Sequence, residues 1–298
     1  MSYFCKKFET NKENMRKVFL LAVVVCVAML TVGTGCSNKK VESADSTNTE
    51  STEVDSDTVD DVDSATEVIA STPMPKAADQ LFDDFFFNFI ANKKLQRSRI
   101  NFPLPVLTGN KKVELQKGQW KTDHFFRPQG YYTLVFDNEE QMKYPKSTDL
   151  DSVIVEKIHL KKGTIEQYWF DHQEGKWRLN EIRNISFKDS YNASFSKFLS
   201  NFFATRGAGA IKNPLAYSGP DPDGEETTTV NRTIPAEEWS TFLPEVPGGM
   251  IYNILYGQKY SETNRKILTF RGLSNGVETQ LIFKLHGQKW RLEKINAY

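Results

Sequence analysis

One pattern occurs twice along this chain, and the repetition limits the fold more than any other feature. Phe82, Phe85, Phe86, Phe89 and Ile90 fall at i, i+3, i+4, i+7 and i+8. Phe195, Phe198, Leu199, Phe202 and Phe203 repeat that spacing 113 residues later. Each set predicts one apolar stripe on an amphipathic helix. Lys176-Trp177-Arg178-Leu179 recurs as Lys289-Trp290-Arg291-Leu292, again 113 residues on. Between these ends Pro103-Leu104 pairs with Pro214-Leu215, and Trp120 with Trp239. Tyr132–Phe136 pairs with Tyr252–Tyr256, and Gln167–Phe170 with Gln280–Phe283. A pattern spelled twice predicts two copies of one module, here 78–187 and 188–298. Asp79 and Asp189-Ser190 precede the two stripes and are the residue types that cap a helix N-terminus.

After each helix the pattern turns to strands. Trp177 and Leu179 alternate with Arg178, and Trp290 and Leu292 with Arg291, as half-buried strands do. Turns are expected at Lys162-Gly163, Gln173-Glu174-Gly175, Asn275-Gly276 and His286-Gly287. Asn275-Gly276 suits a two-residue hairpin. The predicted class is α+β: two tandem cone-like modules, each a Phe-rich N-terminal helix packed on a curved antiparallel sheet. This leading helix and terminal Gly-x-Trp-Arg-Leu-type strand resemble the nuclear-transport-factor-2-like, cystatin-related cone fold. Phe85-Phe-Phe-Asn88-Phe89, Ser98–Leu104, Gln119-Trp120 and Tyr131–Asp137 are similar to the Bacteroides lipoprotein family of domain of unknown function 4348. That resemblance implies a fold and no chemistry.

The formal net charge of zero hides a partition. Residues 1–35 hold five basic and two acidic side chains, 36–77 three and ten, 78–298 thirty and twenty-six. No aromatic lies between Phe19 and Phe82, so only the last stretch can build a core. Arg16-Lys17 precedes the apolar run Val18–Val32, and Gly33-Thr34-Gly35 precedes Cys36. Fifteen apolar residues suit a signal peptide better than a bilayer span of ~20. The arrangement resembles the lipobox of bacterial lipoproteins, with Gly33 where Leu is usual. It implies a signal peptide over 1–35 and a membrane partner reached through acylated Cys36. An uncleaved single-span anchor is the other reading of the same run. Met15-Arg-Lys-Val offers a second start. Residues 36–77 read as an acidic, disordered tether. Within it Ser46, Thr58 and Ser64 follow aspartate, resembling the O-glycosylation acceptors of Bacteroides-type bacteria; such triplets also arise by chance in an Asp/Ser/Thr/Val-rich stretch. Ser37-Asn38-Lys39-Lys40 after the cysteine favours the periplasmic face of the cell envelope.

The chemistry-bearing residues form no familiar constellation. The three cysteines all precede the folded part, which excludes disulfides and thiolate catalysis there. His124, His159, His172 and His286 lack metal-ligand spacing, and neither a metal nor a cofactor is expected. No nucleophile elbow or phosphate-binding glycine loop occurs. Asp221–Glu226 lacks the glycine position of a calcium loop. The charge balance argues against nucleic acid. Trp120, Tyr132, His159, Tyr168 and Trp169 are candidates to line a cone pocket, although aromatics at strand alternation equally fill a core. Two functions follow. One is a non-catalytic, membrane-anchored module that binds an unknown protein or small ligand. The alternative is a small-molecule enzyme with isomerase- or dehydratase-like acid/base chemistry. A desolvated carboxyl or histidine beside a tyrosine in a deep pocket favours the second; aromatic-filled cones favour the first.

Overall fold

The two Phe-rich stripes are helices. In a computed structural model that describes residues 74–221, 228–258 and 263–298, α1 spans Phe82–Ala91 and α3 spans Ala193–Ala204. A short helix α2, Lys93–Ser98, follows α1, with the Asn92 side chain accepting from the Leu95 amide. The signal run, Cys36, Ser46, Thr58, Ser64 and Pro222–Glu226 lie outside the described residues.

Neither aspartate caps its helix. Asp79 makes a two-pronged ion pair with Arg99 (2.7 and 2.8 Å). Both side chains are nearly buried, and a buried guanidinium needs a carboxylate more than a helix end does. Asp189 accepts from the Ser186 hydroxyl at 2.7 Å, and α3 begins after Asn192 instead.

Among the described residues, twelve strands follow the same order in both halves. The first half supplies β1 (Leu104–Thr108), β2 (Lys111–Leu115), β3 (Tyr131–Phe136), β4 (Ser152–His159), β5 (Thr164–Gln173) and β6 (Lys176–Ser186). The second supplies β7 (Ile211–Pro220), β8 (Thr229–Ile234), β9 (Met250–Leu255), β10 (Arg265–Gly272), β11 (Glu278–His286) and β12 (Lys289–Ala297). They form two six-stranded sheets, β2-β1-β6-β5-β4-β9 and β3-β10-β11-β12-β7-β8. The pairs β1/β6 and β7/β12 are parallel and the rest antiparallel. Thus each half donates its Tyr-bearing strand, β3 or β9, to the edge of the other half's sheet.

The exchange is locked where the donated strands cross. The Thr133 hydroxyl donates to the Tyr252 carbonyl and accepts from the Tyr252 amide at 2.8 Å. Asn253 Oδ1 accepts from the Val135 amide (2.8 Å), and its Nδ2 donates to buried Glu156 (3.0 Å). The register also corrects the expected alignment of Tyr132 with Tyr252. Tyr252 lies opposite Lys157, while Thr133 lies opposite Phe270, the counterpart of Lys157. Tyr252 therefore stands where Thr133 does. All six residues of β3 are buried, so no polar alternation marks its faces, and a one-residue slip is invisible in the sequence.

Each sheet bends at the place where its helix lands. β5 and β6 shift register between Trp169 and Phe170, and β11 and β12 between Ile282 and Phe283; such bulges kink a strand. Phe170 meets the rings of Phe82, Phe85, Phe86 and Phe89 at 5.4–5.9 Å. Phe283 meets Phe195, Phe198 and Phe202 at 5.2–5.5 Å. The turns Glu174-Gly175 and Gly287-Gln288 are two-residue hairpins. Asn275-Gly276 is not: β10 and β11 are joined by a longer loop, because the Leu273 amide is drawn aside to the Gly130 carbonyl (3.0 Å).

Candidate functional site

The first cone carries a polar cluster at one end of its apolar core. Register places Glu166, Lys157 and Tyr252 side by side on β5, β4 and β9. Tyr168, one step inward on β5, aims its hydroxyl at Glu166 Oε2 (2.9 Å) and Asp123 Oδ2 (3.1 Å). Lys157 pairs with Asp123 Oδ2 and lies 3.9 Å from Glu166 Oε2. Its ammonium sits over the rings of Phe125 (4.5 Å) and Tyr168 (5.0 Å), a cation–π arrangement.

Asp123 is placed by residues behind it. The fully buried Gln96 of α2 donates to the Asp123 carbonyl (2.6 Å) and accepts from the Asp123 amide (3.1 Å). The Trp120 indole donates to the same Gln96 oxygen (3.1 Å). Asp123 Oδ1 then accepts from the Phe125 amide (2.8 Å), which holds Phe125 at φ 48, a costly backbone for a bulky residue. The turn presses the Phe125 ring onto Tyr168 (4.8 Å) and Phe86 (5.1 Å).

Electrostatics follow from burial. Desolvation pushes Tyr168 far above the ordinary phenol range, and Asp123 and Glu166 add to it. Tyr252 is raised by the same causes. His159, two residues beyond Lys157 on β4, is lowered by burial, with Glu166 opposing and the lysines 162 and 157 assisting. Tyr168 therefore remains a proton donor shared between two carboxylates, with Lys157 balancing one of them. The hydrogen bonds are made among the cluster's own members, and they fasten the 120–126 loop to the sheet.

Of the residues singled out from sequence, Tyr168 belongs to this cluster, His159 borders it, and Trp120 acts through Gln96. Tyr132 stands elsewhere, stacked on Phe126 (5.0 Å). Trp169 is half-buried with Arg183 over its ring (3.9 Å). Gln96, Asp123, Lys157 and Glu166 went unnoticed. Comparing the two halves carries the missing signal: Lys157, Glu166 and Tyr168 correspond to Phe270, Thr279 and Leu281, so only one cone is polar at this position.

A second carboxyl–phenol contact lies where the halves meet. The Tyr256 hydroxyl donates to Asp83 Oδ1 (2.7 Å). Burial raises Asp83 to about 6, although Tyr256 and Arg271 pull it down. Among the described residues no group of His, Cys, Asp or Glu is placed to hold a metal ion. No helix among them is long and apolar enough to cross a membrane.

No curated protein matches this chain. The crystal structure of an NTF2-like protein from Bacteroides fragilis is similar at 35% identity and a TM-score of 0.66, covering 76% of this chain and 99% of that one. That likeness agrees with the α+β architecture and helix-on-sheet packing described above. Residues 61–297 match the family described as Domain of unknown function (DUF4348), and the chain is a member of that family.

Proposed function

We propose that this protein is a membrane-anchored cell-envelope lipoprotein whose fold, two copies of a duplicated module, serves as a non-catalytic binding module. The reading is supported most by how the cones are filled. Phe82, Phe85, Phe86, Phe89 and Phe170 are at most 1% exposed in one core, and Phe195, Phe202 and Phe283 likewise in the other. The polar cluster above spends its charges on itself. A thermal-shift screen of small ligands and envelope components against the purified protein tests the reading; a flat response across the screen counts against it. The anchor reading rests on the Arg16–Cys36 arrangement. Cys36→Ser is expected to move the protein from the membrane fraction to the soluble one, onto the periplasmic side.

One observation favours the enzyme alternative. Asp83, a carboxyl held near neutrality beside the Tyr256 phenol, is the pairing that acid/base chemistry uses. Turnover of a carbonyl or hydroxy-acid substrate that Asp83→Asn abolishes, with ligand binding intact, would establish it.

A further inference from the structure

Three neighbouring clefts form one trough along the exposed side of α3. The first is lined by the β4–β5 turn, Phe187, Lys197 and Ser200. It shares Gly163, Phe187 and Lys197 with the second. The second shares Lys188, Ala193 and Ser194 with the third, about 590 Å3, which ends at Leu285 and Trp290. Among the described residues, five lysines line the trough and no carboxylate does. Lys266 is engaged with Asp137 and Asn192. Lys161, Lys162, Lys188 and Lys197 are exposed. Asp189, next to Lys188 in the chain, is tied to the Ser186 hydroxyl. Phe187, Leu160 and Ala193 add apolar lining.

The charge is not a by-product of the scaffold. Lys161-Lys162 corresponds to Ser274-Asn275 in the second copy, and Lys197 corresponds to Asp84 in the first. The matching surface on the other half is therefore neutral at the turn and acidic on the helix. Three elements converge to make this one trough basic: the β4–β5 turn, the Phe187–Asp189 turn and α3.

We infer that this trough docks an acidic, extended peptide segment of a partner protein. The inference rests on the binding-module reading and names its partner class. The twelve residues of α3 rise about 18 Å, the length of roughly five or six extended residues. Such a segment, alternating acidic and apolar side chains, sets carboxylates against the lysines on one face and apolar groups against Phe187 on the other. A flat lipid surface uses the charges but leaves the concave apolar lining unfilled. Attraction of this kind acts on encounter and orientation and weakens with salt.

The test is fluorescence anisotropy with the full chain in detergent and a labelled peptide of roughly ten residues alternating Glu and Leu. The glutamine and lysine versions of the peptide are the controls. Binding of the acidic peptide alone, weakening about tenfold or more between roughly 50 and 300 mM salt, is the expected result. Lys161→Glu with Lys197→Glu is expected to weaken it at least about tenfold with the melting temperature unchanged. If that pair fails to fold, Lys161→Gln with Lys197→Gln provides the same comparison. Equal binding of the glutamine peptide, or indifference to both variants, overturns the inference. So does tighter, variant-sensitive binding to phosphatidylglycerol vesicles, which assigns the trough to a lipid surface. A flat peptide response beside a positive ligand screen removes the trough and leaves the binding-module reading standing.

Discussion

At Asp83 two effects oppose each other: burial favours the neutral acid, while the Tyr256 hydroxyl and Arg271 favour the charge, and burial wins. The folded protein therefore binds this proton more tightly than the unfolded chain does. The contribution to stability is complete below the ordinary value of 3.8 and is lost as pH rises through about 6. Asp83→Asn keeps an acceptor for Tyr256 and removes the charge. Thermal melts should show the variant more stable than the parent at about pH 7.5, by at most roughly 3 kcal/mol, and close to it at about pH 3. A parent with no loss of stability between these pH values contradicts the assignment. Single residues were also where sequence reasoning reached least far. Trp120 stood out because it recurs, but its work is done through Gln96 and Asp123, which do not recur. Side chains that serve one half alone leave no repeated pattern in the sequence.

Helices were legible because a 3.6-residue period survives any tertiary arrangement. Both stripes pack as their spacing implies, and in each half the ring at the strand bulge, Phe170 or Phe283, receives them. Strands were legible as strands but not as neighbours. Alternation says which face a side chain takes and nothing about which sheet the strand joins, and β3 lacks even alternation. The end of α3 shows how strict the joints are. Gly207 turns the chain at φ 79, with its amide donating to the Phe202 carbonyl (2.7 Å). A Cβ there would lie 2.8 Å from both Ile211 Cδ1 and Trp239 Nε1. The Trp239 indole is itself fixed on the Arg206 carbonyl (2.9 Å). Gly207→Ala is expected to cost about 2 kcal/mol, which for a fold of this size lowers the melting temperature by roughly 4–8 °C. An unchanged melt means that the joint relaxes freely.

Two sheets that trade strands are not two independent bodies. Separated at the Phe187–Asp189 turn, each half retains its Phe-rich helix and five strands of its own sheet and leaves an edge, β4 or β10, without its partner. Exposed edges of this kind invite association. Expressed alone, residues 74–189 and 190–298 should aggregate or remain unfolded. Expressed together, they should form a soluble one-to-one complex with a single cooperative transition, read by light scattering and circular dichroism. Two halves that each melt cooperatively as monomers refute this. For the intact chain the exchange also imposes an order in time. Synthesis delivers β4, β5 and β6 well before β9, so the first sheet has to wait with the β4 edge open along 154–159 until residues 250–255 emerge. The nascent chain thus has no finished first domain to rest on, and its exposure to helpers or to misassembly lasts nearly to the final strand.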